Sequence, residues 1–249
     1  MIPNKFHFIF GLKEDFGGKP FKLCHYLSIK SALDLNKPEE AYLYYKFMPT
    51  GEWFDKIKDR LTLVEIEPPT EIFGKPLMHY AHQADVIRLR MLYEYGGVYM
   101  DVDTISVKPL TDLLDNKCVL GIEKNQGLCN GVVLAEKNSL FIKHWLDSYR
   151  TFRSRGRDKH WGEHSVRIPN RLSKQYPDLI TAEPFFSFHY PTWRQEDLKL
   201  MFEENKTFEN AYCHHVWETR SWEPYLKDLS EEHIKNVDTT YNNIARNFL

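Results

Sequence analysis

With 249 residues, 42% hydrophobic and 27% charged, the chain has globular composition and enough length for a sizeable core. A formal net charge of −2 offers no global attraction for nucleic acid, and no run approaches the ~18 consecutive apolar residues of a membrane span. Aromatic residues reach 14%, a supply of rings for stacking on bases and sugars as well as for packing.

Met1 to Phe10 holds no basic leader with an apolar core. Cys24, Cys118, Cys129 and Cys213 are scattered without a C-x-x-C pair. Both features suggest reduced thiols in a cytoplasmic protein, at most peripheral at the inner face of a membrane. Ile2 to Gly11 reads as a strand with Phe6, Phe8 and Phe10 on one face and His7 and Ile9 on the other, broken at Gly11. Lys22 to Leu35 has helical spacing and is stopped by Asn36-Lys37-Pro38. Ala41 to Phe47 and Leu61 to Ile66 are further strands, and strand–helix–strand alternation is the pattern of a parallel α/β sheet.

Ala81 to Tyr95 is the clearest helix, with Ala84, Ile87, Met91 and Tyr95 along one face. Gly96 follows as the residue suited to a positive φ just past a helix end. The chain then reads as a glycine turn and a short strand finishing in Asp101 and Asp103. Side chains at i and i+2 share a strand face, so these carboxylates repel unless a cation or a proton intervenes. Hard oxygen ligands suit Mg²⁺ or Mn²⁺ rather than zinc.

Leu110 to Leu114 is a short helix, Cys118 to Glu123 and Asn130 to Ala135 are strands, and Ser139 to Phe152 is an amphipathic helix capped by Asn138 or Ser139. Arg150 to Lys159 carries five positive charges against one acid. It reads either as a solvated loop or as a patch meeting anionic lipid or a phosphate-bearing acceptor. Ser173 to Trp193 reads as loop, and Val237 to Leu249 as a last helix.

Read together, Ala81, Asp85 and Arg88 followed by L-Y-x-x-G-G-V-Y-x-D-x-D from Leu92 to Asp103 resembles the sugar-binding D-x-D region of glycosyltransferase family 32. The block, from about Gln83 to Pro109, is also similar to that of the large clostridial glucosylating toxins. The resemblance implies a GT-A α/β fold, with a mostly parallel central sheet flanked by helices. It implies one domain over residues 1–249, with a nucleotide-binding core over about 1–135 and acceptor-side and C-terminal segments over about 136–249. It further implies Mn²⁺ or Mg²⁺, a nucleotide-sugar donor (UDP-sugar first, GDP-mannose second), retention of anomeric configuration, and a saccharide or lipid-linked saccharide acceptor in surface polysaccharide synthesis.

By position, the resemblance gives Asp103 direct metal ligation and Asp101 the ribose or a water-mediated metal contact. Asp85 and Arg88 match the pair holding donor sugar hydroxyls and diphosphate. Phe10, with Phe8 on the same strand face, stands at the nucleobase, and Tyr99 beside the nucleotide. Asn130 is a donor or acceptor contact, and Ser221-Trp222 falls near the diphosphate. His214 and His215 project to opposite faces of a strand, so one reaches the metal, with His214 preferred. Trp161-Gly162-Glu163 stands where many relatives carry a Gly-Pro step.

Simpler roles stay open for several of these residues. Asp85–Arg88 as an exposed ion pair is worth well under ~1 kcal/mol, Phe10 fits plain core, and Asn130-Gly131 fits a turn. Two other functions compete with transfer: a haloacid-dehalogenase-like phosphatase built on Asp101-Val102-Asp103-Thr104-Ile105, and a non-catalytic carbohydrate or partner-binding module on the same fold. Gly96, Gly97 and Tyr99 replace the apolar run that the phosphatase pattern needs before its acids.

Overall fold

A computed structural model describes residues 1–249. Strand β1 (Lys5–Ile9) leads through helix α1 (Leu23–Asn36) to the parallel strand β2 (Glu40–Tyr45). Lys37 adopts φ 43° and caps α1 through its N–H on Leu33 O. A short helix α2 (Glu52–Asp55) precedes β3 (Thr62–Glu65), parallel to β2, and a two-residue ribbon follows, β4 (Glu71–Ile72) with β5 (Lys75–Pro76). Helix α3 (Tyr80–Tyr95) then returns the chain to the other side of β1, where β6 (Gly97–Met100) pairs with it in parallel.

Strands β7 (Thr104–Ser106), β8 (Cys118–Glu123) and β9 (Gly127–Ala135) follow, then helices α4 (Leu140–Ser148) and α5 (Ile168–Gln175) and strand β10 (Thr181–Glu183). The seven-stranded sheet has the order β10-β8-β9-β6-β1-β2-β3. Only β9 runs against the others, antiparallel to both β6 and β8. Helices α6 (Phe185–Phe188) and α7 (Gln195–Phe202) lead to β11 (Cys213–His215), which pairs antiparallel with β7 outside the main sheet. Helices α8 (Glu218–Ser221), α9 (Glu231–Asn236) and α10 (Thr240–Ala245) complete the chain, and no helix is long and apolar enough to cross a membrane.

Alternation along the strands divides the core into two layers. Phe6, Phe8, Val98 and Met100 pack with α1 and the C-terminal helices, whereas Ile9, Tyr99 and Val133 pack under α3, α4 and α5. The α3–β6 junction needs glycine. Gly97 has φ +114°, and a Cβ there would lie 2.4 Å from Lys5 O. Any larger residue would force β6 away from β1.

Strand order reverses at β1, whose neighbours are β2 on one side and β6 on the other. The crevice beyond the carboxyl ends of such strands is where open α/β sheets bind ligands. Ile9-Phe10-Gly11 and Met100-Asp101-Val102-Asp103 are the two segments that leave the sheet there.

Several sequence expectations are corrected here. The paired acids are not on a strand: β6 ends at Met100, and Asp101–Asp103 form the turn into β7. The Asp101 N–H makes the last rung, to Gly131 O at 2.8 Å, and Thr104 Oγ1 then donates to Asp101 O. The segment 173–193 is loop-rich as expected but also holds the end of α5, β10 and α6. The last helix is shorter than expected, with α10 starting at the cap Thr239 and passing into a tight turn at Arg246–Phe248.

Candidate active site at the D-x-D turn

Helix α3 and strand β9 deliver the buried half of the site. Arg88, only 5% exposed, donates through Nη1 to Asn130 O at 2.6 Å and lies 3.3 Å from Asp85 Oδ1 and 3.2 Å from Asp101 Oδ1. Asn130 Nδ2 donates to Asp85 Oδ1 at 2.7 Å, and the Arg88 guanidinium stacks 4.3 Å from the Tyr99 ring centre. Asp85–Arg88 is therefore no exposed pair. It belongs to a desolvated network that fixes where Arg88 can present charge. Tyr99 Oη donates to Asp101 Oδ1 at 2.6 Å, completing the support of that carboxylate.

The second half comes from the C-terminal tail. In the β7–β11 ribbon His215 pairs with Thr104, and the Val216 N–H donates to Asp103 O at 2.8 Å. His215 Nε2 lies 3.1 Å from Asp103 Oδ1 and 4.0 Å from Asp101 Oδ2. The Glu218 N–H donates to Asp103 Oδ2 at 2.7 Å. Asp101, Asp103 and His215 thus offer ligand atoms within 4.8 Å of one another, a hard oxygen set with one imidazole that fits a Mn²⁺ or Mg²⁺ ion.

The two acids are electrostatically unequal. Burial and the charge of Asp103 raise the Asp101 pKa, against the pull of Arg88 and His215. Burial also works to raise Asp103, but the His215 charge and hydrogen bond and the Glu218 N–H outweigh it and hold Asp103 below the carboxylate range. His215 gains reciprocally: Asp103 lifts it well above an ordinary histidine despite burial.

Two cavities open on either side of this pair. The first, about 230 Å³, is walled by Ile9, Phe10 and Phe16, by Tyr80, Ala81 and Ala84 of α3, and by Lys13 and Lys19, with Arg88, Tyr99, Asp101 and Asp103 at its floor. The second, about 730 Å³, also reaches Asp101 and Asp103 and is lined by Trp161, Trp193 and Trp217, by Arg157, Arg167 and Arg220, and by Glu123, Cys129, Asn130 and His215.

Asp85, Arg88, Tyr99, Asp101, Asp103 and Asn130 therefore converge as expected from sequence, and Phe10 is half-buried on the first cavity wall. Others do not converge. Phe8 is fully buried in the core because β1 ends at Ile9 and the turn at Gly11 carries only Phe10 outward. His214, preferred from sequence for the metal, faces the other way: its Nδ1 bonds Tyr190 O at 2.7 Å, and burial lowers its pKa to about 4. Ser221 is buried with Oγ donating to Val216 O, and Trp222 packs in the core with its ring 6.1 Å from that of His25, so neither lines either of these two cavities.

Residues not singled out from sequence also matter. Glu218 is held by Lys19 Nζ at 2.9 Å and His25 Nε2 at 2.6 Å, tying the tail to the start of α1. His25 Nδ1 accepts the Lys22 N–H at 2.9 Å, which puts the ring proton on Nε2, facing Glu218. An acid directly after the His-His-Val-Trp run and a histidine among the apolar residues Leu23–Leu27 that open α1 were the available signals. The basic segment does not form one outward face: Arg150 stacks on Phe73, Arg153 pairs with Glu163, and Arg157 turns to the second cavity.

Comparison with known proteins agrees with this geometry. Residues 24–120 match the family described as "Glycosyltransferase sugar-binding region containing DXD motif". The chain is 35% identical over its whole length to "Glucan organizing enzyme 1" of Cryptococcus neoformans, covering 71% of that protein. The chain belongs to the D-x-D glycosyltransferases. It is also 26% identical to mouse "Lactosylceramide 4-alpha-galactosyltransferase" over 82% of its own length, spanning 56% of that relative. Among solved structures, "PaToxG Glycosyltransferase" superposes with TM-score 0.52 at 18% identity, covering 70% of this chain and 69% of that one, a likeness of fold. The fold is GT-A, and membership implies in general a nucleotide-sugar donor, a divalent metal, and a saccharide or lipid acceptor.

Proposed function

We propose that this glycosyltransferase moves a sugar from a nucleotide-sugar donor, a UDP-sugar first and GDP-mannose second, to a saccharide or lipid-linked saccharide acceptor, with retention of configuration. The observation that carries the reading is the placement of Asp101, Asp103 and His215 at the strand-order reversal, between an aromatic cavity and a larger tryptophan-lined one. Mn²⁺ or Mg²⁺ held by Asp103, with Asp101 and His215 beside it, would neutralise charge on the departing diphosphate. Phe10 and Phe16, 5.6 Å apart and stacked, offer a face to the base, and Lys13 and Lys19, paired with Asp15 and Glu218, line the same cavity within reach of a diphosphate. Arg88 is held rigid by Asp85 and Asn130, so its stabilisation of developing charge needs no reorganisation.

The second cavity suits the acceptor. Trp161, Trp193 and Trp217 give sugar rings surfaces to stack on. Arg157 and Arg220, neither of them in a salt bridge, favour an acceptor bearing phosphate. Of the other acids there, Asp158 is occupied by the N–H groups of Arg155 and His160 and by Ser154 Oγ, and Glu123 is bonded by Trp193 and raised in pKa by burial. Neither is a ready nucleophile, which favours front-face attack with the leaving phosphate accepting the acceptor proton. The 26% identical mouse relative, named for galactosyl transfer to lactosylceramide, supports a glycolipid among the possible acceptors.

A thermal-shift screen of nucleotide sugars with Mn²⁺, followed by donor hydrolysis, tests the reading. A true donor above its dissociation constant raises Tm by mass action. No shift and no hydrolysis with any nucleotide sugar would overturn it.

A further inference from the structure

Behind the D-x-D turn lies a second cluster, which shares His215 with the acids but adds two residues that this function does not use, Cys129 and His189. Cys129 of β9, His189 just after α6, and His215 are all buried and place a thiol and two imidazoles within 4.8 Å of one another. Neither ring nitrogen of His189 nor Nδ1 of His215 makes a hydrogen bond of good geometry, and the polar group beside both is Cys129, through its backbone for His189 and its thiol for His215. Buried polar atoms are rarely left so, because each has given up its hydration without a replacement. Three in one place point to a shared ligand.

The backbone is shaped around these rings. A Cβ at Gly121 would lie 2.6 Å from Phe188 Cδ2 and 3.0 Å from His189 Cδ2, and one at Gly131 would lie 3.1 Å from Asp101 Oδ2 and 3.2 Å from His215 Nδ1. The β8–β9 register shifts at Gly121, the residue opposite Cys129, so the ladder is irregular where the thiol must be aimed. Cys129 and His215 both reach the second cavity, which gives an ion a route in and leaves an open coordination position.

We propose that Cys129, His189 and His215 form a second metal site, specific for a thiophilic divalent ion of the zinc class. Sulfur with two imidazoles is a soft donor set that Mg²⁺ and Mn²⁺ do not favour. On binding, the Cys129 thiol and the Nδ1–H of the protonated His215 each give a proton to solvent, and the thiolate and the freed lone pairs of His189 and His215 Nδ1 bind the ion. His215 then keeps its proton on Nε2, 3.1 Å from Asp103 Oδ1, which is the carboxylate–histidine–metal arrangement that orients metal-bound histidines. Because that proton blocks Nε2, the soft site and any ion using Nε2 at the D-x-D turn compete for one imidazole. This last consequence rests on the glycosyltransferase reading, whereas the site itself does not.

The test uses the full chain, stripped of metal and without nucleotide sugar. Titration with Co²⁺, followed by absorption, should give a thiolate-to-cobalt charge-transfer band saturating at one equivalent and bleached by Zn²⁺. Cys129→Ser should abolish the band, His189→Ala should weaken binding at least tenfold, and Asp101→Asn should leave the band in place. No charge-transfer band in the wild-type chain, or a band surviving Cys129→Ser, overturns the proposal. If Cys129→Ser does not fold, Zn²⁺ protection of Cys129 from alkylation, mapped by mass spectrometry on the wild-type chain, decides instead. Unchanged labelling would contradict the site.

Discussion

The two cavities share the wall formed by Asp101 and Asp103 and differ in almost everything else. The first is small and framed by the end of β1 and the first turns of α3, elements of the sheet and its helical layer, and closed by the Gly11–Lys19 segment. The second has about three times the volume, and most of its rim comes from segments outside the sheet, around Arg157–Arg167, Trp193 and Trp217–Arg220. We read the contrast as a more rigid half, anchored on β1 and α3 and suited to a constant group such as a nucleotide, against a half built mostly outside the sheet where recognition of varied acceptors can reside.

Substitutions can break that division at graded cost. Asp103→Ala strikes the shared wall and should abolish turnover and Mn²⁺-dependent donor binding together, a loss of roughly a hundred-fold or more in kcat. Donor binding that survives unchanged would move the metal elsewhere. Arg88→Ala leaves Asp85 and Asp101 buried without their cation, so urea unfolding should register a loss of about 3–5 kcal/mol. Arg88→Lys, which keeps the charge, should fold better yet lose more turnover than Mn²⁺ affinity.

The cavities themselves separate at the next level. Phe10→Ala should weaken nucleotide binding by about 1–3 kcal/mol, the usual worth of an aromatic base stack, and leave the acceptor KM unchanged. Trp193→Ala should raise the acceptor KM and leave donor hydrolysis intact. Crossed effects would mean that the cavities are not functionally distinct.

The smallest effect tests the two faces of β11. Burial lowers the folded-state pKa of His214 to about 4, below the unfolded value near 6.5. Its contribution to stability is therefore complete above pH ~6.5 and is lost as pH falls toward 4, by on the order of 1–3 kcal/mol. His214→Asn, whose Nδ2 can still donate to Tyr190 O, should flatten that part of the stability–pH curve without touching Mn²⁺ binding. An unchanged slope would contradict the inward placement.

Much of the rigid half was legible in sequence because it is written locally. The α3 periodicity, the Gly96-Gly97 break and the acids lie within one continuous stretch, and Asp85, Arg88 and Asp101 meet as that stretch predicts. What sequence could not give depends on distant pairing. Which of His214 and His215 faces the acids is decided by the β7–β11 register, and a one-residue slip would exchange them. Phe8 and Phe10 share a strand face by alternation, yet the strand ends between them and only Phe10 leaves the core. Glu218 reaches Asp103 through its backbone N–H, a role that no side-chain pattern announces. Helices α7 and α9 were not foreseen; both are short, and the buried residues along them are few: Leu198 and Met201 in one, Ile234 in the other.

The most direct measurement is calorimetric titration of UDP, with and without Mn²⁺, into the wild-type chain and Asp103→Ala. The account predicts Mn²⁺-dependent nucleotide binding in the wild type that disappears in the variant while the melting profile shows it folded. Equal UDP binding in both chains, with or without Mn²⁺, would contradict a donor site organised by a metal at Asp101 and Asp103.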